Sequence, residues 1–232
     1  MNIIEKKPLK KAVALLSGGM DSATALAIAL ASGFEVHSLS FLYGQKGRIE
    51  VLAAERIAQK LGVINHQVLE ISLGQIGGSA LTTDEPVPET EPDSRSIPVT
   101  YVPARNIIFL SYALALAEVI KAGDIFIGTN SLDFSGYPDC RPEFFAAFEK
   151  MARLGTRAGV SGHPIIIHTP LQHMSKAQII KKGIELGVDF SLTVSCYQPA
   201  MDGKACGLCE SCRLRLRGFQ EAGLTDPISY VT

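Results

Sequence analysis

The sequence contains no tryptophan, carries almost no net charge and lacks any long apolar run. Its 22 basic and 23 acidic residues give a formal net charge of −1, so no broad basic surface is expected for a long nucleic acid or an anionic membrane. No stretch approaches the length of a membrane span, and the first residues lack the pattern of a signal peptide. We therefore expect a cytoplasmic protein with no membrane partner and no stable nucleic-acid partner.

The sequence does contain enough apolar residues for one large α/β domain with a small appendage, since 47% of its 232 residues are hydrophobic. Apolar strand-like runs alternate with segments of helical periodicity, which predicts a doubly wound, mainly parallel sheet. The predicted strands are Ala12–Leu16, Val36–Tyr43, His66–Ile71, Ile125–Gly128 and Ile165–His168. The predicted helices are Asp21–Ala31, Arg48–Leu61, Asn106–Lys121, Glu143–Leu154 and Lys176–Leu186.

One segment, Ser72–Pro103, is rich in Gly, Thr, Glu and Pro and matches neither pattern. Segments of this length without regular structure are usually lids, binding loops or disordered. We interpret it as a loop that closes over a site and protects a reactive intermediate from water.

The loop Ser17–Ser22, with the sequence Ser-Gly-Gly-Met-Asp-Ser, joins the first predicted strand to the first predicted helix. Its two glycines allow the backbone to approach a phosphate, and the helix N-terminus presents free N–H groups to an anion. Two serine hydroxyls add donors, and Asp21 could hold Mg²⁺ against the phosphates. No lysine follows the glycines, so the loop is not a Walker A motif. A strand-to-helix turn with an aspartate cap is the alternative.

The whole strand–loop–helix unit resembles the signature of the PP-loop ATPases, which split ATP between its α and β phosphates. Thr169-Pro170-Leu171 followed by Lys176 resembles a later segment of that superfamily, in which the lysine meets phosphate. Taken alone, Lys176 would be interpreted as a solvated helix residue. The predicted ATP contacts are Leu16, Ser17, Gly18, Gly19, Met20, Asp21, Ser22, Ala23 and Lys176.

Four of the five cysteines lie close together near the end of the sequence. The spacing of Cys196, Cys206, Cys209 and Cys212 is C-x9-C-x2-C-x2-C, in which four thiolates can complete a closed, structural tetrahedral zinc site. An iron–sulfur cluster uses the same ligand type and is the main alternative. Disulfides conflict with a reducing compartment, and unrelated thiols are improbable at this spacing. The fifth, Cys140, is interpreted as a packed small hydrophobe.

The segment Asn130–Pro142 is too polar for a routine connector and follows a predicted strand, on the same rim of the sheet as the Ser17–Ser22 loop. Its carboxylates could accept hydrogen bonds from a guanine-like base, its aromatic rings could stack on that base, and Arg141 could pair with a substrate carboxylate. A surface loop bonded to itself is the alternative. The segment Tyr101–Asn106 stands at a helix entrance, where Arg105 and Asn106 are site residues or caps. The candidate substrate contacts are Tyr101, Arg105, Asn106, Asp133, Phe134, Tyr137, Asp139 and Arg141.

These motifs together, from about Ala12 to Tyr230, resemble the 7-cyano-7-deazaguanine synthase family. The segments that carry the resemblance are SGGMDS, Tyr43-Gly44-Gln45, YVPARN, Asn130–Phe144, TPL with Lys176, Ser195–Tyr197 and Ala205–Phe219. Two departures are visible, since Lys46-Gly47 stands where the family usually has Arg-His, and Val194 stands where it often has Trp. The first departure puts in doubt any role for an imidazole at that position.

The resemblance implies an adenine nucleotide alpha hydrolase-like fold, with residues 1–190 forming the nucleotide-binding domain and residues 191–232 a zinc module packed on it. It also implies an AMP-forming carbon–nitrogen ligase that converts 7-carboxy-7-deazaguanine and ammonia to the nitrile preQ0, on the route to queuosine, with two ATP, Mg²⁺ and a structural Zn²⁺. The carboxylate and then the amide oxygen would be adenylated. The catalytic candidates are Asp21, Lys176, Asp133 and Asp139, the last two for binding and deprotonating ammonium. The sequence does not determine the oligomeric state, and a homodimer is one possibility.

Two other functions remain as alternatives. A PP-loop enzyme that thiolates tRNA would share the adenylation step, but it needs a basic RNA-binding face. Arg213, Arg215 and Arg217 form a small basic run, for which a solvated face beside the metal site is the simpler interpretation. A nucleotide sensor that binds ATP without turnover is the other alternative, and the retained Lys176 and substrate segment argue against it.

Overall fold

A computed structural model describes residues 9–45, 49–88, 97–130, 136–200 and 202–231. Within these ranges the chain forms five β-strands and seven α-helices. The strands are β1 (Lys11–Leu15), β2 (Glu35–Leu42), β3 (Asn65–Glu70), β4 (Asp124–Phe126) and β5 (Ile166–His168). The helices are α1 (Met20–Ala31), α2 (Ile49–Lys60), α3 (Arg105–Ile120), α4 (Pro142–Gly155), α5 (Arg157–Val160), α6 (Lys176–Glu185) and α7 (Glu210–Ala222). Short 3₁₀ turns cover Leu73–Gln75, Pro138–Cys140 and Phe190–Leu192.

The strands form one parallel sheet in the order β3-β2-β1-β4-β5, as the alternating sequence pattern predicts. Successive side chains of β1 point to opposite faces, so Val13 and Leu15 pack with α3 and α4, while Ala12 and Ala14 pack with α1 and α2. The direction of winding reverses between β1 and β4. In open α/β sheets, ligands bind beyond the carboxyl ends of the strands at such a point.

Each predicted strand and helix is present, with ends within two residues of those expected. The segment Ser72–Pro103 is less loop-like than its composition indicates. In its described parts Leu73, Ala80, Leu81 and Val87 are buried in the core on the α3 side of the sheet. Residues 89–96 lie outside the described ranges. Within those ranges, no helix is long and apolar enough to cross a bilayer.

Helix α7 was not predicted from the sequence, and it changes the interpretation of the basic run that it contains. Arg217 is exposed, but Arg215 is fully buried at 0% exposure. The prediction that the basic run forms a solvated face is therefore wrong for Arg215. Its Nε and Nη2 donate to the two carboxylate oxygens of Asp226 at 2.7 and 2.8 Å. Further Arg215 donors reach the Phe190 carbonyl and the Thr193 hydroxyl. This arginine therefore anchors α7 to the segment that leads out of the sheet domain.

Candidate active site

A cavity of about 250 Å³ opens at the carboxyl ends of β1 and β4, where the winding reverses. Its lining includes most of the Ser17–Ser22 loop together with Arg105, Asn106 and Tyr137. Among the described residues, the charged side chains that line it are Asp21, Glu50, Arg105 and Lys176. The predicted ATP-binding loop and part of the predicted substrate set therefore line one open cavity.

The Ser17–Ser22 loop is held in shape by its own hydroxyl groups. The Ser17 backbone N–H donates to the Ser22 hydroxyl at 3.1 Å, and the Ser22 hydroxyl donates to the Gly19 carbonyl at 3.0 Å. Gly18 has φ +87°, and a Cβ there would lie 2.2 Å from the Glu50 carbonyl oxygen, so the glycine is needed for both conformation and space. Gly19 precedes α1 without a side-chain cap, which leaves the first N–H groups of the helix available to an anion.

Lys176 and Asp21 form an ion pair at the edge of this loop. The Lys176 Nζ lies 2.9 Å from both carboxylate oxygens of Asp21, although the two residues are 155 positions apart in the sequence. Lys176 is only 8% exposed, so the interpretation of this side chain as a solvated helix residue is excluded. The pair places one cation and one anion beside the helix N-terminus, where phosphate oxygens and their metal would lie.

Arg105 is the first residue of α3 and also lines the cavity. The preceding residue, Ala104, has φ +56°, a left-handed conformation that is uncommon for a residue with a Cβ. The Tyr101 hydroxyl accepts a hydrogen bond from the Ala104 N–H at 3.1 Å and stabilises this turn. Arg105 in turn hydrogen-bonds to Tyr43, whose own pKa is raised by burial. Tyr101 therefore supports the turn that places Arg105 in the cavity, but it does not itself line the cavity.

Of the substrate contacts predicted in the segment Asn130–Pro142, some line the cavity and others lie outside its lining. Tyr137 lines the cavity, whereas Asp139 and Arg141 are absent from its wall and Arg141 is exposed. The Asp139 carboxylate accepts from the Asn106 backbone N–H at 3.1 Å, and its carbonyl accepts from the Asn106 side chain at 3.0 Å. In this position Asp139 orients the start of α3.

Asp133 and Phe134, together with Lys46-Gly47, lie outside the described ranges. Of the predicted ATP-loop set, Leu16, Ser17, Gly19, Met20, Asp21 and Ser22 line the cavity. Gly18 and Ala23 lie behind that wall, where Gly18 contacts α2 and Ala23 is buried against the sheet.

Many residues of the cavity lining were not assigned to the site from the sequence. Those with titratable side chains are Tyr43, Glu50 in the first turn of α2, Cys140 and Tyr197. Burial raises the pKa of Cys140 to about 12, so this side chain is a neutral thiol at physiological pH, in agreement with its interpretation as a small hydrophobe. Glu50 belongs to helix α2, which was predicted from the spacing of its apolar residues, and that spacing says nothing about the function of its charged residues. A charged residue in a first helical turn is ordinary, so the sequence contains no signal that marks it.

The four clustered cysteines converge as their spacing predicts. Their sulfur atoms lie within 4.8 Å of one another, and the Cys206 and Cys212 sulfurs are 3.9 Å apart. A tetrahedral ion with metal–sulfur bonds of 2.3 Å needs sulfurs about 3.8 Å apart. Backbone N–H groups of Gln198 and Cys206 donate to the Cys196 sulfur at 3.3 and 3.2 Å, which favours the thiolate form. The cluster can therefore hold a metal ion.

Comparison with known proteins gives matches along almost the whole chain. The family described as "Queuosine biosynthesis protein QueC" matches residues 11–223. A protein of Hydrogenovibrio crunogenus called 7-cyano-7-deazaguanine synthase is 61% identical over 225 residues, which are 97% of each chain. A protein of the same name from Paramagnetospirillum magneticum is 57% identical over 227 residues, 97% of this chain and 100% of the relative.

Solved structures resemble this chain in fold. A 4-thiouridine synthetase, solved with RNA and bound ATP, aligns with a TM-score of 0.54 and 20% identity over 93% of this chain and 52% of its own. A predicted subunit of a tRNA methyltransferase from Methanocaldococcus jannaschii aligns with a TM-score of 0.51 and 16% identity over 97% of this chain and 93% of its own. At this identity the likeness establishes the PP-loop ATPase-like fold alone.

Proposed function

The chain belongs to the queuosine biosynthesis protein QueC family, and on that basis we propose that it is an AMP-forming ligase that converts 7-carboxy-7-deazaguanine and ammonia to 7-cyano-7-deazaguanine. The observation that supports the proposal is that the Ser17–Ser22 loop and Arg105 line the same cavity, which has a volume of about 250 Å³. A nucleotide phosphate bound at the loop and a substrate carboxylate bound by Arg105 would therefore lie in one space.

The Ser17–Ser22 loop would bind the departing pyrophosphate of ATP. The open N–H groups at the start of α1 and the ammonium of Lys176 offer donors and positive charge to the phosphates. The two serine hydroxyls bond within the loop and hold it in shape. Mg²⁺ would enter with ATP, and the Asp21 carboxylate offers the hard oxygen ligand that this ion prefers. The same groups stabilise the charge that develops when the bond between the α and β phosphates breaks.

Arg105, rather than Arg141, is our candidate partner for the substrate carboxylate, because Arg105 lines the cavity and Arg141 is exposed outside it. The guanidinium can hold a carboxylate with two parallel hydrogen bonds, which fixes its orientation for attack on ATP. Tyr137 and Tyr197 line the same wall and offer aromatic surface to a purine-like ring. The product of this step is a mixed anhydride that ammonia can attack.

We expect the purified protein to form AMP and the nitrile together from ATP, Mg²⁺, ammonium and 7-carboxy-7-deazaguanine, as followed by mass spectrometry. Because two adenylations are proposed, about two AMP should appear for each nitrile. Arg105→Gln should remove substrate-dependent AMP formation, whereas Arg141→Gln should leave it unchanged. Visible absorbance from an iron–sulfur cluster, or the absence of nitrile with all components present, would instead favour the tRNA-thiolating alternative.

The metal held by Cys196, Cys206, Cys209 and Cys212 is, in our proposal, a structural zinc ion. Four thiolates leave no open coordination position for water or substrate, which is typical of structural rather than catalytic zinc. The cluster also lies beside the cavity, since Cys196 contributes to its wall. The ion would hold the segment Val194–Tyr197 in place while the chemistry proceeds elsewhere in the cavity.

Cys206→Ser should lose zinc and lower the melting temperature, because the remaining three thiolates bind the ion more weakly and the binding free energy is also folding free energy. Metal content by mass spectrometry and a thermal melting curve measure the two effects. Cys140→Ser serves as the matched control, since Cys140 is a buried thiol outside the cluster and should retain full zinc. Full zinc and an unchanged melting curve in Cys206→Ser would contradict the structural-zinc proposal.

A further inference from the structure

Glu50 is the one carboxylate lining the cavity, among the described residues, that forms no part of the Asp21–Lys176 ion pair. It lies in the first turn of α2, and its own carbonyl contacts the Ser17–Ser22 loop at Gly18. Glu50 and Arg105 line the same cavity, and the positive charge of Arg105 acts on the Glu50 carboxyl group and lowers its pKa. Glu50 therefore stands beside the position at which the substrate carboxylate and its adenylate would be held.

We propose that Glu50 binds the ammonium ion and removes its protons as the nitrogen is transferred to the activated substrate. This inference rests on the proposed function, because it assigns a residue to the ammonia-dependent steps of that reaction. It replaces Asp139, whose carboxylate is directed to the Asn106 N–H outside the cavity wall.

The environment of Glu50 suits proton transfer near neutral pH. Burial raises the pKa of Glu50 to about 7, and the opposing effect of Arg105 is too small to restore the usual value. Among the described residues, the other titratable side chains of the cavity lining are the paired Asp21 and Lys176, Arg105, Cys140, Cys196 and three tyrosines, Tyr43, Tyr137 and Tyr197. Burial raises the pKa values of the three tyrosines, so they remain neutral. A base whose pKa lies near the working pH is both deprotonated in a large fraction of the molecules and basic enough to accept a proton, so it transfers protons efficiently.

The reaction needs such a base because ammonia is mostly ammonium at neutral pH and the nitrile nitrogen carries no hydrogen. In the first transfer, the Glu50 carboxylate takes a proton from ammonium. The freed nitrogen lone pair then forms the C–N bond, while the C–O bond to AMP breaks and its electron pair leaves on AMP. Glu50 passes its proton to water, and the acyl-bound nitrogen, now acidic, loses a further proton to water to give the primary amide. ATP then adenylates the amide oxygen with release of pyrophosphate. Glu50 takes one of the two remaining N–H protons and water the other as the C–O bond to AMP breaks, which gives the nitrile. No oxidant or reductant is required.

Glu50→Gln keeps the size of the side chain but removes the base. We expect nitrile formation from ammonium at neutral pH to fall by about 10²- to 10⁴-fold, the usual contribution of a positioned general base. The adenylation step should be retained, as measured by exchange of labelled pyrophosphate into ATP in the presence of 7-carboxy-7-deazaguanine without ammonium. Glu55→Gln, an exposed residue of the same helix, is the matched control and should behave as wild type.

Hydroxylamine provides the discriminating readout, because it is a weaker base than ammonia and is largely unprotonated at neutral pH. Glu50→Gln should therefore convert the adenylate to the hydroxamate at the wild-type rate while it fails with ammonium. The wild-type rate with ammonium should rise with pH through about 7 as Glu50 ionises and then change little. In Glu50→Gln the rate should instead keep rising well above pH 7, because it follows the fraction of free ammonia alone.

Equal losses with ammonium and hydroxylamine would show that Glu50 acts on substrate binding or activation, and no loss with either would show that it has no part in the reaction. Both results overturn the inference. A wild-type protein that exchanges no pyrophosphate with this substrate would instead contradict the proposed function, so the two failures are distinguishable.

Discussion

Replacing Asp21 by asparagine is expected to reduce AMP formation by about 10³-fold or more while the protein stays folded. The loss of one preorganised electrostatic contact commonly costs about 10²- to 10³-fold in kcat. Here the change removes two functions, since the carboxylate both holds Lys176 with two contacts of 2.9 Å and offers the oxygen ligand for Mg²⁺. Asparagine keeps the shape of the side chain but can supply neither a negative charge nor a two-oxygen contact to the ammonium.

The measurement is AMP release and pyrophosphate exchange, combined with circular dichroism to establish the folded state. Asp84→Asn is the matched control, because Asp84 is an exposed carboxylate that does not line the cavity. Asp21→Asn should also weaken ATP binding, because Lys176 loses its orientation. Normal AMP formation by a folded Asp21→Asn protein would contradict the proposal that Ser17–Ser22 is the ATP-binding loop.

Replacing Arg215 by methionine is expected to destabilise the protein by about 3–5 kcal/mol, the usual cost when one partner of a buried ion pair is removed. Asp226, at 5% side-chain exposure, would keep its charge but lose its two-oxygen contact with the guanidinium. The donors to the Phe190 carbonyl and the Thr193 hydroxyl would be lost as well. For a chain of this length the melting temperature should fall by about 6–20 °C.

Arg217→Met is the matched control, since Arg217 is an exposed residue of the same helix and its replacement should change stability little. The double variant Arg215→Met with Asp226→Asn should recover part of the loss, because no uncompensated buried charge remains. Unfolding in urea with zinc present measures all three variants. A melting temperature for Arg215→Met equal to that of Arg217→Met would show that the ion pair does not anchor α7.

The sheet and its helices were predictable because the relevant signals are local. The alternation of strand-like and helical periodicity places β1, α1 and the strands that follow within two residues of their observed ends. The cysteine spacing likewise predicts the cluster, because each C-x2-C step positions two ligands within one turn. The Ser17–Ser22 loop was recognisable because its glycines, hydroxyl groups and helix N-terminus are adjacent in sequence.

The rest of the site depends on contacts between distant residues, which no local pattern reports. Asp139 and Arg141 have the residue types expected of substrate contacts, but the turn at Pro138–Cys140 directs the Asp139 carboxylate to the start of α3. In the sequence, Glu50 is an ordinary acidic residue in the first turn of a helix, and only the folded structure shows that it lines the cavity. The burial of Arg215 in α7 was missed because the partner that permits it, Asp226, lies eleven positions further along the chain.

Gly218 of α7 makes the position of Lys176, beside the Ser17–Ser22 loop, depend on a helix that comes much later in the chain. A Cβ at this position would lie 2.3 Å from the Cγ of Lys176, so α7 lies directly against the stem of the lysine that pairs with Asp21. Domains usually begin to fold from the N-terminus as the chain emerges from the ribosome. The Ser17–Ser22 loop therefore emerges well before the helix that packs against Lys176. A chain that stopped short of α7 would carry the loop without this support for the lysine that pairs with Asp21.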